Sequence, residues 1–481
     1  MFGELTERVF VWRRELKMQV RTKLSSALAI LLIASLCDCS RGQHSTETAS
    51  LTVAEFEGML TPSDIFQASH ETAEPIIPLV ARFDDGVTFG TPDGAFDLRL
   101  RIMNQVDAKL FTPREQVPAR SGLYIPRFRF YFEGNISHSF EYELSLQRSV
   151  EGAFDVLDAS LNFAPSEEFQ VRFGRFLVPF SYAWYDHLEQ FFITPERALF
   201  PLNFGLSREA GIMAHGDLDE GACHYAFGAF SGQLAGVADT NTTRDLVGYI
   251  NKRPFHEDVN SVLQNLNVGG SASWGRQDYP GEPLPLRTSI QASENDEAAA
   301  AASSIFLEFA DDVEFIGDRA TAALHLSLYV DQWSFESEFQ YGRFQARTQT
   351  DNPYLDALGY HVGASCFITG EEVDGRTIVV PDDPFDPAAG IYGTGAIEPF
   401  ARYSHLTLDD SVFTAGLADP QEWTRTASTV DLGWNWYPNR YIKFYFDWQI
   451  ALFASPVLID PDTSEMTDIN HTFWARGQVF F

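Results

Sequence analysis

The chain is poor in basic residues, in cysteine and in long apolar runs, and each shortage removes a class of protein. Lys and Arg number 34 against 67 Asp and Glu, for a formal net charge of -33. Nucleic acid is excluded as a partner, because phosphate contacts need Lys and Arg. Beyond the N-terminus no uncharged apolar run approaches the roughly 18 residues that a spanning helix needs, so a helical membrane protein is excluded. Of four cysteines, Cys37 and Cys39 end an N-terminal apolar stretch, which leaves Cys223 and Cys366. No Cys/His spacing reads as a zinc or redox site, and a Cys223–Cys366 disulfide stays open. No G-x-S-x-G, H-E-x-x-H or Walker loop stands in the sequence. No catalytic residue, cofactor site or metal site is therefore assigned, and the chain is not read as an enzyme.

What is present begins with an export signal. Leu24 to Leu36 is an apolar core behind Arg21 and Lys23, too short for a stable span and suited to a signal peptide. Residues 1–40 are read as the signal region, with Met18 as a second candidate start. Arg13-Arg14 faintly resembles a twin-arginine signal. Residues 41–85, rich in Ser, Thr, Glu and Pro, are read as a periplasmic linker, with a short helix conceivable over Leu51–Phe66. From residue 86 to Phe481 the texture changes.

That texture is strict alternation. Phe96, Leu98, Leu100, Ile102, Val106 and Leu110 face one way; Asp97, Arg99, Arg101, Asp107 and Lys109 face the other. Successive strand side chains point to opposite faces, so this is an apolar wall backed by a charged wall. The pattern returns in Phe128–Glu133, Phe140–Gln147, Leu157–Phe163, Leu324–Asp331, Trp333–Tyr341 and Ile442–Leu452. Fifteen alternating residues are long for a soluble strand and natural for a tilted strand crossing a bilayer. The sequence ends on the aromatic run Phe473 to Phe481, read as the strand that closes a barrel onto its first strand, with Phe481 at the closure. Short joins, with Gly134-Asn135 and Pro438-Asn439-Arg440 as the turns, read as periplasmic. Long joins at 180–207, 277–303, 369–394 and 454–469 read as extracellular loops. The expectation is an all-β transmembrane antiparallel barrel of about 16 strands, with 18 as the upper count. At that size the charged face is expected to line a wet lumen.

Several stretches carry a resemblance. They are Phe169-Gln-Val-Arg-Phe-Gly-Arg-Phe-Leu-Val-Pro-Phe180, Phe191-Phe-Ile-Thr-Pro-Glu-Arg-Ala-Leu199, Ser207 to Gly216, Arg402-Tyr-Ser404, Gly433 to Asn439 and Gln478 to Phe481. In this order they resemble the phosphate-selective porins O and P, from about Phe96 to Phe481. The resemblance implies a homotrimeric sixteen-stranded channel of the bacterial outer membrane, assembled by the barrel machinery among lipid and lipopolysaccharide. It implies an inward-folded constriction loop at 180–207 carrying Glu196 and Arg197. It also implies lumenal cations that pass anions such as phosphate, for which Arg99, Arg101, Arg127, Arg129, Arg172, Arg208 and Lys443 are the candidates.

The bland reading of each cation is a cross-strand pair with Asp97, Glu133, Glu141 or Glu143. Arg175 and Arg197 could instead hold the loop to the wall. The acidic excess departs from the family, with Glu294–Glu297, Glu371-Glu372, Asp382-Asp383 and Asp409-Asp410 expected on outer loops, where they repel phosphate. Phosphate selectivity is therefore not carried over; passive diffusion of small solutes, with anions weakly preferred, is the expectation. The competing readings are a secreted β-sandwich binding module and an enzyme, either a glycosidase using the carboxylate pairs Glu336/Glu338 and Glu141/Glu143 or a barrel-rim hydrolase with a Ser/His site. His215 and His224, near Asp217 and Asp219, are read as turn residues rather than metal ligands.

Overall fold

A computed structural model describes residues 78–112, 114–117, 119–148, 154–232, 241–289 and 302–481. The signal, the conceivable helix at 51–66 and the acidic run Glu294–Glu297 lie outside them. A hairpin comes first, β1 (Val80–Asp84) and β2 (Gly86–Gly90), so strand begins within the stretch read as linker. Then follow β3 (Asp97–Thr112), β4 (Gly122–Ser137), β5 (Phe140–Arg148), β6 (Phe154–Phe163), β7 (Gln170–Leu177), β8 (Arg208–Leu218), β9 (Cys223–Phe230), β10 (Asp245–Lys252) and β11 (Asn265–Gly281). A small pair, β12 (Leu286–Arg287) and β13 (Ile305–Leu307), interrupts before β14 (Glu314–Val330), β15 (Trp333–Arg347) and β16 (Tyr354–Cys366). A second small pair, β17 (Phe385–Asp386) and β18 (Ile391–Tyr392), precedes β19 (Ala396–Leu408), β20 (Thr426–Asn439), β21 (Ile442–Asp460) and β22 (Glu465–Phe480).

Leaving out the hairpin and the two small pairs, sixteen antiparallel strands follow one another in order, and β22 returns to pair with β3 from Phe480↔Met103 to His471↔Thr112. The amide of Phe481 donates to the carbonyl of Ile102 at 3.1 Å and its carbonyl accepts the Ile102 amide at 2.7 Å. The barrel is closed where the aromatic terminal run was expected to close it. Below that point β2 takes over as the neighbour of β3, from Val87↔Leu100 to Gly90↔Asp97, and Phe83 of the hairpin meets the rings of Tyr441 and Phe481.

The alternation is inside out. On β3, Val106 and Leu110 are exposed while Met103, Gln105, Asp107 and Lys109 are buried. On β15, Trp333, Phe335 and Phe339 are exposed while Glu338 and Gln340 are buried. Lipid accepts the apolar face, so the polar face is the interior one. That face turns apolar toward one rim. Phe344, Leu355, Leu406, Leu408, Ala427, Ala451 and Phe453 occupy interior-parity positions and pack with Leu199, Phe200, Phe306 and Leu307. The charged interior face is thus not continuous: on this side segments of the connections pack apolar side chains against the wall.

Chain direction sorts the connections between two rims. At one rim lie the ends that lead from β3 to β4, β7 to β8, β9 to β10, β11 to β14 and β19 to β20; the other carries the two-residue turns 138–139, 331–332 and 440–441. The rim with short turns is the periplasmic one. Three expectations change. The connection 367–395 belongs to the turn rim, so Glu371-Glu372 and Asp382-Asp383 are not on outer loops. The stretch 454–469 is not a loop: β21 and β22 run on past a register shift between Leu452 and Val457 and turn at 461–464. Gly134-Asn135 is not a turn either. A Cβ on Gly134 would lie 2.2 Å from the carbonyl oxygen of Asp97, so glycine here allows β4 to approach β3 closely, and Asn135 donates to the Asp97 carboxylate at 2.7 Å. Cys223 and Cys366 are both free thiols. His215 and His224 lie on β8 and β9, not in the turn, and among the described residues no His/Cys/Asp/Glu group suits a metal ion.

Candidate functional site

The connection from β7 to β8, residues 178–207, starts with a backbone constraint. Ser181 adopts φ 70°, outside the usual range of a non-glycine residue. Glu338 of β15 secures it: its carboxylate accepts the Ser181 hydroxyl at 2.9 Å, the Tyr182 amide at 2.9 Å and the Ala183 amide at 3.3 Å. These amides open a one-turn helix, α1 (Tyr182–Tyr185), whose first N–H groups have no partner of their own.

Residues 190–196 then run with little regular structure, and their carbonyls need donors. Interior-facing side chains of the wall supply them. The Gln190 carbonyl accepts Gln478 at 3.0 Å, Phe192 accepts Lys443 at 2.5 Å, and Ile193 accepts Asn435 at 2.9 Å. The Pro195 carbonyl accepts Arg476, and that of Glu196 accepts Arg402 at 2.7 Å. The Phe191 carbonyl accepts Nε of Arg376, from the connection between β16 and β19, at 3.1 Å. The run ends in α2 (Leu199–Phe204), whose first amide donates to Ser404 at 2.8 Å. Partners therefore come from β15, β19, β20, β21 and β22.

Two carboxylates of the segment complete the anchoring. Glu196 takes two donors from Arg127 at 2.5 and 2.7 Å and one from Arg476 at 3.0 Å; Arg476 also bonds Asp107 at 2.6 and 2.9 Å. Glu189 meets Arg129 at 3.2 Å, Arg197 at 3.5 Å and Arg208 at 3.9 Å. Burial opposes ionisation of Glu196, but Arg127 and Arg476 outweigh it and hold the carboxyl down at about 2. Glu189 is likewise held well below the ordinary range by Arg129, Arg197 and Arg208, against its burial. Burial drives His187 down to about 3, with Arg376 and Arg197 adding to it, so the ring is neutral beside Glu336.

Every sequence-predicted cation has a partner. Arg99 lies 3.8 Å from Glu133, and Arg101 bonds the same carboxylate at 2.8 Å, with Asp85 at 3.5 Å. Arg127 and Arg129 hold Glu196 and Glu189. Arg172 lies 3.9 Å from Glu143, and Arg208 bonds Asp158 at 2.9 Å. Lys443 spends its ammonium on the Phe192 carbonyl and the Tyr445 ring. Arg197 is stacked on Trp184 and Phe192 of its own segment rather than on the wall. Arg99, Arg172 and their carboxylates share a polar cavity of about 240 Å³ with Asp97, Glu133, Glu141 and Asn162. The anchoring role was missed for six residues: Arg402, Asp107 and Glu338, which the sequence reading named for other reasons, and Arg376, Arg476 and Glu398. Interior parity on the strands was the signal for five of them; nothing local marked Arg376.

The outer membrane channel DcaP of Acinetobacter baumannii is similar in structure at a TM-score of 0.48 and 10% identity, over 82% of this chain and 99% of that one. Pseudomonas putida OprB gives 0.48 and 11%, over 81% and 95%. Salmonella typhi OmpF gives 0.47 and 12%, over 83% and 100%. No curated protein matches the sequence. A family model, described as Phosphate-selective porin O and P, matches residues 96–450. It covers most of the chain and nearly the whole barrel, and on it the chain belongs to the phosphate-selective porin O and P family, outer-membrane channels of bacteria.

Proposed function

We propose that this porin passes small hydrophilic solutes by passive diffusion through a lumen narrowed by residues 178–207, without the anion preference of the family's phosphate-specific members. The observation that carries this reading is the pairing of the candidate cations. Anion passage along a pore needs Arg or Lys that can exchange one ligand for the next. Here Arg99, Arg101, Arg127, Arg129, Arg172 and Arg208 each already face a carboxylate, and Lys443 a carbonyl. The weak anion preference expected from sequence is therefore given up. Anchors reaching Glu196 from Arg127 on β4 and from Arg476 and Arg402 across the closure support a constriction that crosses the interior. A homotrimer, lipopolysaccharide contact and assembly by the barrel machinery come with the same reading.

Single channels in a planar bilayer under a KCl gradient test it. A reversal potential near zero or on the cation side, unaffected by added phosphate, is expected. An anion-selective potential with block by low phosphate would restore the arginine-lined phosphate path.

A further inference from the structure

The connection 367–395 is long, lies on the rim of short turns, and is not confined to that rim. Its residues touch interior side chains around much of the ring. Ile378 packs with Met103, Tyr131 and Phe480, together with Phe191 of the other segment. Val379 packs with Ala396 and Tyr437. Asp374 and Gly375 close a cavity of about 230 Å³ with Tyr182, Tyr329, Asn251 and Asn267. The amide of Val373 donates to the Asp331 carbonyl at 2.8 Å.

Arg376 lies at the centre of this stretch. Its Nη1 donates to Glu398 at 2.6 Å and to Ser334 at 3.5 Å, its Nη2 to Glu398 at 3.4 Å, and its Nε to the Phe191 carbonyl. Glu398 is fully buried and also accepts Ser365 at 2.7 Å, Asn435 at 3.0 Å and Tyr437 at 2.6 Å. Asn435 is the residue that holds the Ile193 carbonyl. One carboxylate thus gathers the guanidinium of the turn-rim segment and an amide that grips the loop-rim segment. The planar guanidinium suits this role, because it bonds a carboxylate on one edge and a carbonyl on another; an ammonium presents no such fork.

We propose that Arg376 and Glu398 form a latch that fastens two lumenal segments, entering from opposite rims, into one constriction. The inference deepens the channel reading and rests on it. Opening the latch loosens both segments together, because 376 and 191 share a bond and 398 and 193 share Asn435. It makes residue 376 a determinant of pore size, although it belongs to the turn rim.

The test uses the full-length protein with Cys37, Cys39, Cys223 and Cys366 changed to serine and one reporter cysteine, Thr194→Cys on the first segment or Gly375→Cys on the second. A Cβ at 375 meets nothing within 4 Å, so that reporter is sterically neutral. The latch is removed by the pair Arg376→Met and Glu398→Gln, which takes out both charges of the ion pair together and keeps an acceptor for Ser365, Asn435 and Tyr437. Reaction with a small charged thiol reagent is expected to speed up about tenfold at both reporters, as both segments open more often, and single-channel conductance to rise. Faster reaction at 375 alone would overturn the latch, since the segments would then move independently. Unchanged rates at both, in protein that remains heat-modifiable, would overturn it as well. A parent protein with no conductance would sink the channel reading, while the thiol rates would still decide the latch.

Discussion

Two regions of the barrel interior use the same residue types, arginine and carboxylate, for opposite ends. In the belt around Glu196, Arg476 and Asp107 are fully buried, Arg476 bonds both acids, and all are fixed between the wall and residues 190–196. At the turn rim of β3 to β7, Arg99, Arg172 and Glu143 also sit in ion-pair range, yet their side chains are 42%, 29% and 30% exposed and the distances are 3.8 and 3.9 Å. Both sets of cations are paired, and it is solvation that separates an anchor from an exposed charge. In the belt, separation leaves bare charge in a dry site; at the rim, water replaces the lost partner. The belt fastens residues 190–196 to the wall, and the rim keeps its charges in water.

The comparison breaks most severely at Arg476. Changing it to Met strips Asp107 and Glu196 of their shared cation and the Pro195 carbonyl of its donor. Loss of one member of a buried pair costs about 3–5 kcal/mol, so the temperature at which folded barrel converts to unfolded chain in detergent should fall by many degrees. The double change Arg476→Met with Asp107→Asn should recover part of that loss. A single variant as stable as the parent would mean that the belt is not an anchor.

Acid sharpens the same contrast. The carboxyl of Glu196 is depressed from an ordinary 4.5 to about 2. A depressed acid stabilises the native state above its unfolded value, and that stabilisation is lost as pH falls through the folded value. A shift of this size corresponds to something on the order of 3 kcal/mol. Between about pH 4 and about pH 2 conductance should rise as the Glu196 anchor is neutralised, a step that Glu196→Gln removes, whereas any rise above pH 4 reports the depressed His187 ring. Glu196→Gln should already show the raised conductance at pH 7. A rise centred near pH 6 would point to another group.

Much of this was legible because it is local. Alternation has a period of two residues, so the apolar and polar walls of β3, β5 and β15 could be assigned from short stretches, and the aromatic run to Phe481 marked the closing strand. Strand ends were less legible. Around Ser455-Pro456 alternation lapses at the register shift, and a continuous hairpin read as a loop. The rim of 367–395 was illegible for a different reason: a connection's side depends on the number of strands before it, and the short β9 and β10 lie where the pattern was weakest. Whether an arginine is free is further still from the local sequence. Arg127 and Glu196 stand 69 residues apart, and only the course of 178–207 brings them together.

The smallest expected effects on stability belong to the turn rim, and there the measurement is selectivity. Its polar cavity collects Asp97, Glu133, Glu141 and Glu143 against Arg99 and Arg172. Arg172→Ala should change stability by less than about 1 kcal/mol, as exposed pairs do. It removes one of the two positive charges in a water-filled pocket, so the reversal potential should move toward cations. Glu143→Gln should move it the opposite way by a similar amount. High salt should shrink both shifts, because charges this exposed are screened within about 8–10 Å at physiological ionic strength. The belt offers the control. Arg127→Ala should disturb folding or conductance far more than the sign of the selectivity, since its charge is spent on Glu196. If Arg127→Ala instead moved the reversal potential more than Arg172→Ala did, permeating ions would be reading the belt, and the division between a structural and a conducting set of charges would fail.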